Sequence, residues 1–440
     1  MARTKTRIAQ VGIGGRAGMF LDAVMGPYKD RTRLVGVCDI NRTRMEAVME
    51  RYRKRNKYPK VPMYGADAFE KMLAERKVQR VVVTTMDRTH DDYICRAMEA
   101  GCDVITEKPM TIDAPRCQRI LDTVERTGRD LTVTFNYRYS PRNSKVKEIL
   151  QSGEIGDVLS VHFEWLLDTK HGADYFRRWH RDKANSGGLL VHKSTHHFDL
   201  VNWWLDSTPE TVFAMGRLAF YGRENAEKRG MTRFYSRATG HPVAQDDPFA
   251  LHLDRDERLK AMYLDAEVED GYQRDQSVFG YNISTEDTLG VLVRYRNQAI
   301  LTYSLNAHCP WEGFRVMFNG TKGRLELNVA ENSYVSTSKD DINLAENLEK
   351  EKEVKLQVPV ILVQKHWQKP REVTYESAKG GHGGGDVRLL RDVFEGAGDD
   401  PLRRAAGHLD GAWSILTGVA GNLAIATGLP VRTRDLVRLP

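Results

Sequence analysis

The sequence has few cysteines and no long apolar run. Its five cysteines are an odd number in 440 residues, and no two of them form a CxxC pair. A disulfide framework needs paired cysteines and a cysteine zinc site needs closely spaced ones, so this pattern indicates a reducing compartment. No apolar run reaches the roughly 18 residues that cross a membrane. We therefore expect a cytoplasmic protein with no membrane partner.

The chain also lacks a dense basic block. Its formal net charge of +6 is spread along the sequence among both acidic and apolar residues. Nucleic-acid-binding proteins concentrate Lys and Arg in one run or on one face, so we expect no nucleic-acid partner. A length of 440 residues is enough for two domains, each with its own core.

The first third of the chain alternates regularly between strand and helix patterns. Short apolar runs predict strands at residues 7–11, 34–38, 81–85, 103–106 and 131–135. Between them, helices are predicted at residues 17–25, 67–76, 91–100 and 114–126. This alternation predicts an α/β fold with a doubly wound parallel sheet, whose ligands bind at the carboxyl ends of the strands. Polar groups fall at these ends at residues 12–15, 39, 85–87, 108 and 136–137.

A glycine-rich turn separates the first predicted strand from the first predicted helix. Gly12, Gly14 and Gly15 would expose backbone N–H groups at a helix N-terminus, which suits a pyrophosphate. Ala17 stands where the dinucleotide fingerprint has its third glycine, a position at which alanine is tolerated. The turn therefore predicts a dinucleotide site.

An acidic residue, Asp39, ends the second predicted strand. Its carboxylate can accept hydrogen bonds from the adenosine ribose hydroxyls and would repel a 2′-phosphate. Arg42 and Arg44 follow closely, so NADP is not excluded as the cofactor. The sequence thus favours NAD as the cofactor, with NADP as the alternative.

The stretch at residues 185–205 has the spacing of a helix, and three of its ionisable residues fall near one face. His192 and His196 are four apart and would share one face, and Asp199 would lie near them. A carboxylate beside an imidazole fixes its tautomer and tunes it as a base. The structural alternative is a set of histidines on a helix surface beside an apolar Leu and Trp stripe.

Two histidines four apart on a helix also suit zinc. With His180 or His382 as a third ligand, His192 and His196 would make a zinc-dependent hydrolase or lyase. This alternative leaves the glycine turn, Asp39 and the tripeptide Glu107-Lys108-Pro109 unexplained, so we predict no metal.

The chain resembles the Gfo/Idh/MocA family of sugar and polyol oxidoreductases over nearly its whole length. The resemblance is carried by VGIGGRAG, the strand-end Asp39, TTMDRTH, AGCDVITEKP, FNYRYSP with SGEIGDV, SGGLLVHKSTHHFDLVNWW, FNGTKGRLEL and GLPV. It implies a Rossmann domain at residues 1–138 and a second α/β domain at 139–440 with an open, mostly antiparallel sheet. Strand patterns at residues 155–165, 289–295, 299–306 and 315–319 suit that sheet, and helices are predicted at 386–396 and 409–427. Two stretches, about 220–285 and 334–373, are predicted insertions: a lid near the substrate and an exposed hairpin or partner arm, or else solvated loops.

The resemblance also implies roles for individual residues. Lys108 matches the catalytic lysine of the family, and His196 matches its histidine base. His192 stands where the family frequently has Asp, which leaves open whether it orients substrate, relays protons or replaces that Asp. The predicted cofactor-binding residues are Gly12, Gly14, Gly15, Arg16, Ala17, Asp39, Thr85, His90, Glu107, Lys108 and Asn136. The predicted substrate-binding residues are Tyr137, Tyr175, Arg177, Arg178, Lys193, His197, Tyr272, Arg274 and His382.

The function implied is hydride transfer between NAD and a CH–OH carbon, C3, of a sugar, glycoside or polyol. The wording VHKSTHHFD, with GGHGGGD at residues 380–386, resembles a subgroup that includes NAD-dependent glycosidases and 3-keto-glycoside dehydrogenases. The alternative is therefore redox-neutral glycoside cleavage, in which oxidation at C3 acidifies C2 and permits elimination. A non-catalytic NAD sensor is a further possibility. The sheet of the second domain implies a homodimer or homotetramer.

Overall fold

The computed structural model describes residues 5–335, 360–376 and 381–439, without the side chains of Asn56 and His382. The strands are β1 (Thr6–Val11), β2 (Thr32–Cys38), β3 (Met63–Tyr64), β4 (Arg80–Val83), β5 (Asp103–Thr106), β6 (Leu131–Val133), β7 (Val158–Asp168), β8 (Pro209–Arg217), β9 (Thr288–Tyr295), β10 (Ile300–Cys309), β11 (Glu312–Gly320), β12 (Gly323–Asn332), β13 (Val360–Lys365), β14 (Arg371–Val373) and β15 (Val431–Arg432).

The α-helices are α1 (Ala17–Met25), α2 (Arg42–Asn56), α3 (Phe69–Glu75), α4 (His90–Glu99), α5 (Ala114–Thr127), α6 (Pro141–Gln151), α7 (His171–Arg177), α8 (Lys183–Ser186), α9 (Leu189–His192), α10 (Thr195–Leu205), α11 (Arg223–Lys228), α12 (Glu257–Leu259), α13 (Glu267–Asp270), α14 (Gly381–Glu395) and α15 (His408–Thr427). Across the described ranges, no helix is long and apolar enough to span a membrane.

The first sheet has six parallel strands in the order β3-β2-β1-β4-β5-β6. Its central strands are apolar on both sides because helices cover both faces, as a parallel sheet requires. The predicted strands and helices of this region are all present within a few residues. The doubly wound sheet is therefore confirmed, and the carboxyl ends of its strands lie along one edge.

The second sheet has nine strands in the order β14-β13-β12-β11-β7-β10-β9-β8-β15. Its neighbours pair antiparallel except β7 and β10, which are parallel. One face packs on a core that includes Phe163, Trp165, Phe198 and Phe314. The mostly antiparallel sheet is thus confirmed. The strands β8, β12 and β15 were not predicted, and the antiparallel pair β13 and β14 falls in the stretch predicted as an exposed hairpin or partner arm.

The helix α15 packs into the cores of both sheets. Ile415 and Leu416 lie in the cluster of the first sheet, whereas Ala420 and Ala424 lie in that of the second. The close packing requires Gly418, where a Cβ atom would lie 2.3 Å from the carbonyl oxygen of Leu190. The helix therefore fixes α9 against the first sheet.

The insertion at 220–285 is folded onto the first sheet. Leu253, Leu259 and Met262 belong to the same apolar cluster as Phe20 and Met45. A solvated loop does not describe this part of the insertion. In the second insertion, residues 360–373 form the edge strands β13 and β14, and residues 336–359 lie outside the described ranges.

Candidate active site

The glycine turn connects β1 to α1 in a conformation that only glycine allows at its first position. Gly12 has a φ of +82°, and a Cβ atom there would lie 2.6 Å from the backbone of Thr84. At Gly14 a Cβ atom would meet nothing within 4 Å, so the space beside that residue is open. The turn can thus receive a phosphate group at the N-terminus of α1.

The carboxylate of Asp39 holds this turn. Its Oδ2 atom accepts a hydrogen bond of 2.6 Å from the N–H of Ile13, and its Oδ1 atom accepts one of 2.9 Å from Asn41. Arg44 lies 3.4 Å from the same carboxylate and 2.8 Å from Asp270 of the insertion. Asp39 therefore joins the end of β2 to the turn.

The ends of β4 and β5 meet beside the glycine turn. Arg16 Nε donates to Glu107 at 2.7 Å. The ring nitrogens of buried His90 lie 2.8 Å from the carbonyl oxygen of Pro109 and 3.2 Å from that of Thr85. This placement makes His90 a residue that joins the two strand ends, rather than one that faces the groove.

Lys108 projects from the end of β5 towards α9. Its Nζ atom lies 3.4 Å from the carbonyl oxygen of His192. Burial lowers the pKa of Lys108 to about 8, although Glu107 and Asp87 oppose the change. Lys108 can therefore exchange a proton near neutral pH.

The helix predicted at residues 189–204 is interrupted at Lys193 and Ser194. Their N–H groups both donate to the carbonyl oxygen of Leu189, at 3.1 and 2.9 Å, so this turn contains an extra residue. The prediction of one regular helix is wrong here. The zinc alternative required His192 and His196 to lie on one face of a regular helix. The interruption removes that regular face, and the two imidazoles have different neighbours.

The predicted partnership of Asp199 with an imidazole is also wrong. Its carboxylate accepts hydrogen bonds from Nε and Nη2 of Arg138, at 2.8 and 2.5 Å, and Arg138 also contacts Asp410. Both Asp199 and Arg138 are buried. Asp199 therefore serves as the counter-ion of a buried arginine.

The carboxylate that faces His192 is that of Asp87, at the end of β4. Nδ1 of His192 lies 2.5 Å from Oδ2 of Asp87. Burial, with a contribution from Lys108, lowers the pKa of His192 well below its usual value. Burial raises the pKa of Asp87, but Lys108 and Arg178 favour its ionised form. An ionised Asp87 accepts from Nδ1–H and leaves Nε2 of His192 as a proton acceptor.

His196 and His197 begin α10 and have different surroundings. The ring of His196 contacts Tyr137 edge-on, with centroids 4.9 Å apart. His197 stacks on Trp165 at 4.1 Å, and its Nδ1 atom lies 2.7 Å from the hydroxyl of Tyr303. His197 has no exposed surface, so its predicted contact with substrate does not fit this position in the core. Lys193 Nζ lies 4.7 Å from the ring centroid of Trp165.

A second histidine–carboxylate pair lies on the other side of His192. Nδ1 of His171 is 2.7 Å from buried Glu312, and Nε2 is 3.1 Å from the hydroxyl of Tyr175. Donation from Nδ1–H to Glu312 leaves Nε2 to accept the Tyr175 proton. The ring of Tyr175 lies 5.5 Å from that of His192, and the ring of His180 lies 4.2 Å from it. The two pairs therefore share one cluster of aromatic rings.

The arginines predicted to bind an anionic substrate have protein partners. Arg177 donates to the carbonyl oxygen of Phe249 at 2.7 Å. Arg178 donates to Asp174 at 2.9 Å, and Arg274 lies 3.6 Å from the same carboxylate. Although burial opposes it, these arginines hold the pKa of Asp174 well below its usual range. Arg177 thus supports the insertion instead of facing a substrate.

Three further predicted residues lie around this cluster. Asn136 is buried and donates to Asp386 of α14 at 2.6 Å. Tyr137 packs its ring on Trp165 and His196. Tyr272 comes from the insertion, with its ring 6.1 Å from that of Tyr263.

The side chain of His382 lies outside the described residues. Throughout the described ranges, no group of three His, Cys, Asp or Glu side chains is placed to hold a metal ion.

The carboxylate partners of the two histidines were not predicted: Asp87 was expected only among the strand-end groups at residues 85–87, and Glu312 was assigned no role. Asp87 had a local signal, since it follows a strand of the parallel sheet within TTMDRTH. Glu312 had none, because it is 141 residues from His171 in the chain and on a different element.

Two family models match the chain and together account for most of it. The model of an oxidoreductase family's NAD-binding Rossmann fold matches residues 6–135, and that of its C-terminal alpha/beta domain matches residues 147–432. The oxidoreductase YteT of Bacillus subtilis (strain 168) is 35% identical over 443 residues, which cover 97% of this chain and 98% of that protein. A nicotinamide-binding first domain is therefore shared with known proteins.

More distant matches include a polyol dehydrogenase and a sugar oxidoreductase. Inositol 2-dehydrogenase of Rhizobium meliloti (strain 1021) is 30% identical over 208 residues, covering 47% of this chain and 57% of that enzyme. The crystal structure of aldose-aldose oxidoreductase from Caulobacter crescentus, complexed with glycerol, covers 98% of this chain and 100% of its own, with a TM-score of 0.62 and 16% identity. At that identity the second match concerns the fold alone.

Proposed function

Because the chain belongs to the Gfo/Idh/MocA oxidoreductase family, we propose that it moves a hydride between NAD and a CH–OH carbon of a sugar, glycoside or polyol. The proposed carbon is C3 of a sugar ring. The observation that carries the proposal is the convergence of Lys108 and the His192–Asp87 pair beside the glycine turn. Two proton-transfer groups thus lie at the strand ends that form the nucleotide groove.

We propose that the cofactor lies along these strand ends. The N–H group of Gly14 would face the pyrophosphate, Asp39 the adenosine ribose, and Thr85 and Glu107 the nicotinamide half. A bound nicotinamide supplies the hydride acceptor, and the protein contributes placement and proton transfer.

His192 is the proposed base for the substrate hydroxyl. Its Nε2 atom accepts the hydroxyl proton while Asp87 stabilises the imidazolium that forms. Lys108, with a pKa of about 8, can hold or pass on that proton. His196 lies about one helical turn from His192, against Tyr137. We propose that it positions the reacting hydroxyl beside His192 and Lys108.

The pair formed by His171 and Glu312 favours a second candidate, the redox-neutral cleavage of a glycoside. Such a reaction needs a further group that removes the C2 proton once C3 carries a ketone. Tyr175 is the proposed group, since its proton can pass to Nε2 of His171, whose charge Glu312 would stabilise. Burial raises the pKa of the Tyr175 hydroxyl and opposes this transfer, so the His171–Glu312 pair would have to compensate. A simple dehydrogenase does not require this second relay.

A substrate screen distinguishes the two functions. Purified protein would be incubated with NAD and with sugars, sugar acids, inositols or aryl glycosides, while NADH absorbance and released aglycone are followed together. Accumulating NADH supports the dehydrogenase, and aglycone release without net NADH supports the glycosidase. Lys108→Ala should abolish either signal, whereas Lys71→Ala, at an exposed position on α3, should not. If Lys108→Ala keeps the signal of the unaltered protein, both functions are contradicted.

We also propose a homodimer or homotetramer. The outer face of the second sheet exposes Met215, Leu292 and Ile300, at 71%, 49% and 47% of their surface. Exposed apolar side chains on neighbouring strands are typical of a subunit contact. Light scattering after gel filtration should give a multiple of the 50.1 kDa chain mass, and Leu292→Glu should lower it.

A further inference from the structure

A segment of the insertion, residues 251–274, lies across the nucleotide groove. We call this segment the strap. The hydroxyl of Tyr263 in the strap accepts a hydrogen bond of 3.1 Å from the N–H of Gly15. It therefore lies beside the position in which a pyrophosphate oxygen would accept from the same turn. The open space beside Gly14 leaves room for that group.

The strap is anchored along the first turn of α2. The carboxylate of Glu269 accepts from the N–H of Thr43 at 2.9 Å, and the side chain of Asn41 donates to the carbonyl oxygen of Ala266 at 2.8 Å. Arg44 donates to the carbonyl oxygen of Met262 at 3.1 Å. These contacts, with the Arg44–Asp270 ion pair, fix the strap next to Asp39, at the adenosine end of the groove.

The other end of the strap carries polar groups suited to an anion. Arg274 is 5% exposed and its guanidinium lies 4.8 Å from the ring centroid of Tyr263. Its Nε and Nη1 atoms, and the hydroxyl of Tyr272, are buried and have no hydrogen-bond partner among the described residues. Buried donors without partners are costly, so their presence next to a phosphate-binding turn points to an anionic ligand.

We propose that the strap closes over the dinucleotide groove and contributes Tyr263, Tyr272 and Arg274 to binding of the cofactor pyrophosphate. The inference rests on the proposed function, since it assumes a nicotinamide dinucleotide in this groove. A cofactor held on both sides dissociates more slowly than one held by the glycine turn alone. For the second candidate function, glycoside cleavage, slow dissociation keeps the hydride on the bound cofactor until it returns to the same sugar.

In that second candidate function the reaction is a redox-neutral cycle. In the first step a C–H bond breaks, the hydride reduces the bound NAD and the hydroxyl proton passes to the protein, which leaves a ketone. In the last step the hydride and a proton return to a carbonyl carbon and oxygen. The cycle needs no external oxidant.

Dissociation of NADH tests the strap without any sugar substrate. The full-length protein would be loaded with NADH, mixed with excess NAD in a stopped-flow instrument, and followed by NADH fluorescence. Tyr263→Phe should raise the dissociation rate about tenfold, because it removes one hydrogen bond to the pyrophosphate region. Arg274→Gln should raise it by about one to two orders of magnitude, because a charge-assisted contact is lost.

Lys260→Gln is the matched control, since Lys260 lies in the strap but is half exposed and pairs with Asp265. It should dissociate NADH at the rate of the unaltered protein. Thermal melting of each variant shows whether the fold is kept, and Tyr263→Phe removes only one oxygen atom.

Two outcomes would overturn the inference about the strap. Both can be told apart from a result that overturns the proposed function. Unchanged dissociation rates in Tyr263→Phe and Arg274→Gln would show that the strap does not contact the cofactor. Tighter binding in Tyr263→Phe would show that the hydroxyl competes with the pyrophosphate. An unaltered protein that binds neither NADH nor NADPH would overturn the proposed function itself.

Discussion

Asp87 and His192 are 105 residues apart in the chain, yet Oδ2 of Asp87 lies 2.5 Å from Nδ1 of His192. Asp87 lies in the turn that follows β4 of the first sheet, and His192 is the last residue of α9. The contact between this turn and α9 therefore assembles the proposed base.

Asp87→Asn should lower kcat by about 10²–10⁴-fold, the usual contribution of an oriented acid–base group. The amide cannot stabilise the imidazolium and can reverse the tautomer of His192. NADH affinity, measured by fluorescence titration, should stay unchanged. Asp92→Asn, at a half-exposed position on α4, is the control. Activity of Asp87→Asn within threefold of the unaltered protein would show that His192 does not depend on this carboxylate.

The rate of substrate oxidation should rise as the pH increases through about 8. Burial lowers the pKa of Lys108 to that value, and only its neutral amine can accept a proton. In the reverse direction the protonated amine is needed, so the rate of reduction should fall above the same pH. Single-turnover rates of hydride transfer would be measured from pH 6 to 10 with a substrate from the screen. In Lys108→Arg the inflection should vanish, since a guanidinium does not titrate in this range; an inflection that persists there belongs to another group.

Asp199→Ala should lower the free energy of unfolding by about 3–5 kcal/mol, because it leaves Arg138 buried with only the partly exposed Asp410 as a counter-ion. Urea unfolding would measure this loss. The double variant Arg138→Met with Asp199→Leu should recover much of it, since neither charge remains buried. A small effect of Asp199→Ala alone would mean that Asp410 or water compensates Arg138.

Gly12→Ala should affect stability, whereas Gly14→Ala should affect NADH binding. Gly12→Ala should lower the melting temperature, because its φ of +82° and the 2.6 Å approach to Thr84 exclude a Cβ atom. Gly14→Ala should keep the melting temperature but weaken NADH binding, since its methyl group would enter the open space beside the turn. Melting curves and NADH titrations on both variants provide the test. Full NADH affinity in Gly14→Ala would place the pyrophosphate elsewhere.

Glu312→Gln should slow aglycone release more than hydride transfer, if the enzyme cleaves glycosides. The amide cannot stabilise a protonated His171, so transfer of the C2 proton through Tyr175 becomes slower. Single-turnover reduction of bound NAD and aglycone release would be measured on the same sample. Glu326→Gln, on the neighbouring strand β12 and paired with Arg324, is the control. Equal slowing of both steps would assign Glu312 a structural role.

The fold was predictable because its evidence is local. Strand and helix periodicity in the first third of the chain, and the glycine turn between β1 and α1, depend on neighbouring residues. The edge strands β14 and β15 are short, so their pattern is weak. The extra residue in the turn at Ser194 depends on how α9 and α10 pack against α15, which sequence spacing does not record.

The site was only partly predictable because side-chain partners are tertiary. Lys108 and His192 could be singled out from motifs, but their neighbours could not. Asp199 looked like a partner for histidine from its spacing, whereas it pairs with Arg138. Arg177 looked free to bind an anion, whereas it supports the insertion through Phe249. Tertiary packing decides which group lies next to a buried charge, and the charge pairs with that group.

The position of α15 has a consequence for biosynthesis. The N–H of Val133 in the edge strand β6 donates to the carbonyl oxygen of Ala406, and Ile415 and Leu416 complete the core of the same sheet. A ribosome makes the six strands of that sheet long before it makes these residues. The edge strand β6 and the apolar core beneath it therefore stay uncovered in the nascent chain until residues 406–416 have been translated.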